Sequence, residues 1–512
     1  MSVAEAARPQ YGNFRPTRRA GLFGIPLLAL VGLLVAGAIG FAMLLAREWA
    51  MALVWTTCVV VATLPLLRRN AHDRNLYQVI GAKLSFSAAR RAGTTVYLSG
   101  GAGHTPDGQC RLPGLLAASQ LAEFRDAYGQ PFALLHVPAT HHYSVVLEAQ
   151  PADHRLLDDD VVDQQVAMWG GWLADLGNHP SIEGASVTVE SAPDSGLRLR
   201  RNIASQLVED APDFAAATLA EIAETFPSTA AQVTTRITVT WSAIPAWESR
   251  ERVGARRRKP RPRSTQEMAT EIGNLLPAII AGLKVAGAGT SVRAMRAQDV
   301  VDATRVAYDP RVALAVEEAR AHGGTGLRWT EAGPTGAVES WDSYRHDYGW
   351  SRTWYMSAPH RGSFPAEALS RLLSPHRDIA RKRVTILYRP EPPVRAAEIV
   401  DRAYLDATSE AAQKSRSTAR DRRAIRVAER TAEEEAAGAS LLRFSVVVTA
   451  TVLDPKQLPL ASTTIEGLAA GPRLRMRVAV GNQAAAFAAG LPLGLVLPKH
   501  LMLTPELRDQ LL

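Results

Sequence analysis

Three histidines, His136, His141 and His142, fall close together in the chain. Imidazoles bind zinc, but a site needs further ligands and partners that orient them. These three read as turn and surface residues. Asp158, Asp159 and Asp160, with Asp163, could gather a cation. Three successive carboxylates ahead of a helix instead favour its positive N-terminal end. Gly100-Gly101-Ala102-Gly103 is glycine-rich like a phosphate cradle, yet no Lys-Ser/Thr follows. The chain contains no G-x-x-x-x-G-K-[ST], no G-x-G-x-x-G after a strand, no G-x-S-x-G and no H-E-x-x-H. No catalytic, cofactor-binding or metal-binding residue is therefore assigned, and the expectation is a non-enzyme without a cofactor.

Two other stretches are built for binding. Arg250–Arg263 reads RERVGARRRKPRPR, with eight basic residues and one acid. It carries +7 of the formal net charge of +8, so the basic character belongs to one loop. Arg256, Arg257, Arg258, Lys259, Arg261 and Arg263 could neutralise phosphates of nucleic acid or of anionic lipid. No aromatics interleave them, so stacking on single strands is unsupported. Gly, Pro and like charges also predict a flexible loop. The second stretch, Trp341–Tyr355, holds Trp341, Tyr344, Tyr348, Trp350, Trp354 and Tyr355 within 15 residues. Trp, Tyr and Arg are the residues of interface hot spots. The same stretch also reads as a large-residue core beside a strand.

The elements that must position these residues begin with two apolar runs. Gly21–Ala46 is 26 residues and Trp49–Leu67 is 19, neither with a charge, and only Arg47 and Glu48 separate them. A bilayer core takes about 20 apolar helical residues, so the pattern predicts a transmembrane helical hairpin. Arg8, Arg15, Arg18 and Arg19 precede it, and Arg68, Arg69 and Arg74 follow. Basic residues stay on the cytoplasmic side, which places both ends in the cytoplasm at the inner membrane. The hydrophobic share of 47% and charged share of 21% suit packed domains rather than disorder. Two cysteines, Cys58 in the second apolar run and Cys110 beyond it, predict neither a disulfide nor a cysteine zinc site.

Along the body, 131–138 and 143–150 read as two strands around a turn, 161–176 as a helix and 185–190 as a strand. Val233, Thr235, Ile237, Val239 and Trp241 alternate with Thr234, Arg236, Thr238 and Thr240, which predicts a strand with one buried face. An amphipathic helix is expected over Thr265–Leu283. Strands follow over 351–356, 383–388, 444–452 and 473–480. Ala411–Ala437 reads as one long helix, basic first and acidic last, against the helix dipole.

The two ends of the chain carry a resemblance. Tyr11-Gly12-Asn13-Phe14, a run of arginines and the hairpin resemble the PrgI-like membrane subunits of conjugative type IV secretion. From about Arg383, the succession strand, helices, strand, helix, strand leads to Gln483–Phe487 and Leu491-Pro492-Leu493-Gly494. That succession resembles the end of the N-terminal domain of conjugation ATPases. With Cys110–Gly114 and Asp126–Gly129, the whole is similar to actinobacterial membrane proteins of conjugation-like loci. In these a hairpin subunit is joined to a motorless ATPase N-terminal domain. EccE of type VII secretion, with its N-terminal hairpin and cytoplasmic domain, is the rival resemblance; the Leu491–Gly494 ending favours the first.

The resemblance implies a component of a type IV-like apparatus that anchors and docks a separate motor ATPase beside other membrane subunits. Its class alternative is a membrane-tethered nucleic-acid binder. The expected architecture is a transmembrane hairpin plus a cytoplasmic α+β body of two or more domains with largely antiparallel or mixed sheets. Its parts would be an arm at 1–20, the hairpin at 21–67 and a basic segment at 68–91. A first α+β domain at 92–249, the loop at 250–264 and a second α+β domain at 265–512 would follow.

Overall fold

A computed structural model describes residues 21–22, 25–67, 76–103, 108–151, 158–194, 196–208, 211–225, 231–244, 261–289, 291–358, 366–413 and 418–501. The chain divides into two compact units. One is built around the N-terminal helices; the other holds nearly all of Tyr97–Leu495.

The first unit contains α1 (Leu27–Leu45), α2 (Trp49–Leu67) and α3 (Leu76–Arg91). Arg47, at φ 59°, turns the chain between α1 and α2. Trp55 Nε1 donates to the Ala36 carbonyl at 2.9 Å and ties the two helices together. This pair corrects the expectation of a two-span hairpin. The described apolar stretches are Val31–Leu45 and Trp49–Leu64, each between 10 and 17 residues, short of the length a bilayer core takes. Among the described residues, the one helix long and apolar enough to cross a membrane is Thr265–Val285. Its apolar face packs into the core of the second unit.

The second unit is built on one sheet of 13 strands, which replaces the expected body of two or more domains. In chain order its strands are β1 (Val96–Leu98), β2 (Gln120–Arg125), β3 (Pro131–Val137), β4 (His142–Gln150), β5 (Ile182–Pro193), β6 (Ala231–Ser242) and β7 (Ser291–Ala294). Then come β8 (Gly336–Glu339), β9 (Tyr344–His346), β10 (Gly349–Ala358), β11 (Arg381–Pro390), β12 (Leu442–Val452) and β13 (Arg475–Val478). Their spatial order is β1-β8-β9-β10-β12-β11-β5-β6-β4-β3-β2, with β13 on β10 and β7 on β4. From β8 to β2 neighbouring strands run antiparallel.

Besides a single turn at Ser370–Leu373, the helices of this unit are α4 (Asp159–Asn178), α5 (Leu197–Gln206), α6 (Asp213–Thr225), α7 (Thr265–Val285), α8 (Ala297–Tyr308) and α9 (Ala313–Arg320). They continue with α10 (Pro393–Ala412), α11 (Ala419–Ala436), α12 (Leu458–Ala470) and α13 (Gln483–Ala489).

The order of elements is a duplication. Strands β2, β3 and β4, helix pair α5–α6 between β5 and β6, then α7, β7 and α8 form one half. Strands β8, β9 and β10, helix pair α10–α11 between β11 and β12, then α12, β13 and α13 form the other. The halves meet where β5 and β11 pair antiparallel, Thr188 opposite Thr385. Apart from β1, which adds to the edge beside β8, each strand therefore has its counterpart at the same distance on the other side of that seam. The helix pairs are two arms. Because β5 and β11 run oppositely, their arms leave opposite ends of the sheet.

Local sequence explains these elements. Ser264 and Glu267 form a capping box that starts α7. Met268, Ile272, Leu276, Ile279 and Leu283 recur at helical spacing and bury against Tyr143, Val145, Ile237, Val239 and Trp241. In the other half Ala461 and Ile465 of α12 pack on Val446, Val448 and Ala450 of β12. The sequence from 411 to 437 is two helices rather than one: α10 ends at Ala412, and the Thr418 side chain caps α11 by accepting from the Asp421 N–H.

Candidate functional site

Strand periodicity puts Thr238 and Thr240 on the face of β6 away from α7. That face was expected to meet solvent. It is buried instead: Thr238, Thr240, Thr188, Thr385, Thr353 and Thr449 are all 1% exposed or less. Hydroxyls pair across strands. Ser144 meets Thr240 at 3.2 Å, Thr188 meets Thr385 at 3.1 Å, Thr353 meets Thr449 at 3.1 Å and Ser351 meets Thr451 at 2.7 Å. Each such bond is worth about 1 kcal/mol net, and a buried hydroxyl left alone costs more.

The segment after α13 covers this face. Thr385 donates to the Gly490 carbonyl at 2.8 Å, Thr238 to Pro492 at 3.1 Å and Thr240 to Gly494 at 2.9 Å. The carbonyls of 490, 492 and 494 thus face the sheet, along a segment that bends at 491–493 rather than running as a strand. Leu491, Leu493 and Leu495 turn to a core with Val300, Ala307, Tyr308 and Phe487. Gly494 sits at φ 71°, and a Cβ there would overlap the Ser144 and Thr240 hydroxyls. Only glycine fits.

A charged cluster lies in the same layer. Glu190 on β5 is directly opposite Arg383 on β11. Its carboxylate accepts from Arg236 at 3.3 Å, from Arg383 at 3.5 Å and closely from Arg381. Burial pushes the Glu190 carboxyl up, but Arg383, Arg381 and Arg236 outweigh it and hold the group well below the usual carboxylate range. Burial in turn lowers both Arg236 and Arg383. Three guanidiniums share one carboxylate, and Arg236 Nε and Arg383 Nη1 have no hydrogen-bond partner among the described residues. A cavity of about 10 Å³, lined in part by Glu190, Arg236, Thr304 and Pro492, adjoins them. It has room for a single water-sized group.

His346 is a second buried titratable group here, with 0% exposure. Its Nδ1–H donates to the Tyr308 carbonyl at 2.6 Å, so Nε2 accepts from the Ser351 hydroxyl at 2.7 Å. A hydroxyl bonded to an imidazole is the core of a nucleophile–base pair. Here both groups are sealed in the sheet and the imidazole is oriented by a carbonyl, so the pair ties β9 to β10 and to Thr451. Burial lowers the imidazole to about 4.

The aromatic stretch divides. Tyr344 and Trp354 are core. Trp341 is half-buried, as are Trp350 and Tyr355, while Tyr348 is exposed. Tyr348, Trp350 and Tyr355 each meet an arginine: Arg311 lies 4.0 Å over the Tyr348 ring, Arg345 5.4 Å over Trp350 and Arg477 4.5 Å over Tyr355. Cation–π contact holds these arginines on the sheet. Of the basic loop, Arg261 is exposed. Arg263 is fixed by Glu271 and by the Ser242 and Ala243 carbonyls, so it closes β6 onto α7. Arg256, Arg257, Arg258 and Lys259 lie outside the described residues, as do Arg15, Arg18, Arg19, Arg68 and Arg69.

His136 stacks on Tyr143 at 4.3 Å between ring centres, and His142 is buried. Among the described residues no three His, Cys, Asp or Glu gather as a metal site would need. Sequence reasoning missed the hydroxyl face and the Glu190 cluster. The available signal was Arg236 among threonines in one strand and Arg381 and Arg383 in another, with Glu190 as the acid of a third.

A family model described as a domain of unknown function (DUF8461) matches residues 18–78. That stretch takes in α1, α2 and the start of α3. No curated protein matches the chain.

Proposed function

We propose that this chain is a non-enzymatic, membrane-attached component of a type IV-like conjugation or secretion apparatus that docks a separate motor ATPase. One observation carries the reading. Along α1 and α2 large apolar side chains stand bare: Leu34 is 68% exposed, Phe41 63%, Leu45 71%, Leu53 70% and Val54 61%. Water does not tolerate so continuous a patch, and lipid is the solvent that suits it. The arginines flanking the pair in sequence suit the anionic cytoplasmic leaflet. The sheet unit then supplies docking surface, most visibly at its first arm, where Phe214 is 84% exposed and Val208 63%. The succession from β11 to Leu491–Gly494, similar to the end of a motor's N-terminal domain, suggests the motor as the partner.

Flotation of the full chain with vesicles of anionic phospholipid tests attachment. The wild type should rise with the vesicles, and Leu34→Glu with Leu53→Glu should leave it at the bottom of the gradient. Pull-down from cells should recover a motor ATPase, and Phe214→Asp should lose it while flotation is unchanged. Nucleotide hydrolysis by the purified chain would end the non-enzymatic reading.

A further inference from the structure

The charges of α11 are ordered. Arg422, Arg423, Arg426 and Arg430 are exposed along its first two-thirds, and Glu429, Glu433 and Glu434 are exposed toward its end. At 100° per residue all seven fall within about 140° of arc. The opposite side, with Ala428 at 0% exposure, packs on α10. One solvent face is therefore basic at the N-terminal end and acidic at the C-terminal end. This order opposes the helix macrodipole, which favours acids first and bases last. Arg430 pairs with Glu434 at 3.0 Å. Among the described residues Arg422, Arg423, Arg426, Glu429 and Glu433 have no ion-pair partner.

We propose that this face is an interface with a second copy of the same chain, two α11 helices lying antiparallel across a two-fold axis level with 428. The spacing carries the proposal. The pair 422–423 and the pair 433–434 lie equally far from 428, on either side of it. Around the helix, Arg422 and Glu433 stand within about 20° of each other on one edge of the face. Arg423 and Glu434 stand as close on the other edge. A two-fold axis keeps each edge against itself while reversing the ends. It therefore sets Arg422 against Glu433 of the second copy and Arg423 against that copy's Glu434. Arg426 comes within one residue of the level of the second copy's Glu429. A carboxylate accepts several donors, so Glu434 can keep Arg430 while meeting Arg423. Antiparallel helices also bring opposite dipole ends together, which relieves the charge order each helix bears alone. Such a surface is self-complementary, as an isologous contact must be. It is exposed and ionic, so the pairing is weak and screened by salt. The proposal goes beyond membrane attachment and does not depend on it.

Sedimentation of the full chain in one detergent, at about 50 mM and about 500 mM salt, tests this. The wild type should dimerise at low salt and dissociate at high salt. Arg422→Glu with Arg423→Glu makes both ends of the face acidic and should weaken the dimer by about tenfold or more. Adding Glu433→Arg with Glu434→Arg reverses both ends and should restore it. These changes place acids first and bases last, which suits the helix dipole and offsets the loss of the Arg430–Glu434 pair, and unchanged circular dichroism checks that the helix holds. A wild type monomeric at low salt, a dimer indifferent to the first pair of substitutions, or no recovery with all four overturns the proposal.

Discussion

Glu190 is the residue on which the centre of the sheet depends. It is 5% exposed and faces Arg236, Arg381 and Arg383. Breaking a buried ion pair by removing one partner typically costs about 3–5 kcal/mol, because the other charge is stranded. Glu190→Gln should lose stability in that range in urea unfolding; a loss under about 1 kcal/mol would mean that another group neutralises the arginines. His346 gives a pH signature. Burial holds it at about 4, below its ordinary 6.5. Between those values the unfolded chain takes up a proton that the folded chain refuses. The contribution is fully present above the ordinary value and is lost as pH falls toward the folded one. From about pH 7 to about pH 5 the loss amounts to about 2 kcal/mol. His346→Gln keeps a donor and an acceptor and should flatten that slope; an unchanged slope would assign it to other groups. Glu190 acts lower, as pH falls below the ordinary carboxylate range.

At the scale of elements the sequence was legible where one face is apolar. Strands 131–137, 142–150 and 231–242 and helix 265–285 stand where alternation and helical spacing put them. It misled where polar residues are buried. Thr234, Arg236, Thr238 and Thr240 read as a wet face because nothing local announces a covering segment that arrives so much later in the chain. The apolar helices misled in the other sense: absence of charge counts residues, and the described apolar stretches Val31–Leu45 and Trp49–Leu64 are shorter than the uncharged runs. Trp341–Tyr355 left core and surface both open; the fold sorts it, with Tyr344 and Trp354 buried and Tyr348 out. The second arm offers a test. Pro390 and Leu442 are already paired across β11 and β12, so the arm is an insertion between neighbours. Replacing 392–440 by Asn-Gly, a two-residue hairpin loop between Glu391 and Leu441, should leave the sheet unit folded with its near-ultraviolet circular dichroism intact. Collapse of that signal would make the arm part of the core.

At the scale of the sheet unit, the seam between β5 and β11 makes two halves interdependent. Each half made alone would leave its long seam strand as a bare edge, and such edges aggregate. Residues 92–330 and 331–512 expressed separately should be insoluble, and co-expression should recover a soluble complex. Two independently soluble halves would show that the duplication still holds two domains.

The covering segment has a consequence for the timing of synthesis. Thr238 and the Pro492 carbonyl that meets it are 254 positions apart. At about 5–20 residues per second, β6 leaves the ribosome on the order of tens of seconds before the segment that seals it. For that interval its threonines and the arginines beside them stay wet. The nascent sheet has an open polar side, which is less sticky than an open apolar one. A hydroxyl-lined face is a tolerable thing to leave unfinished, and the last layer can close on it without first having to expel a trapped partner.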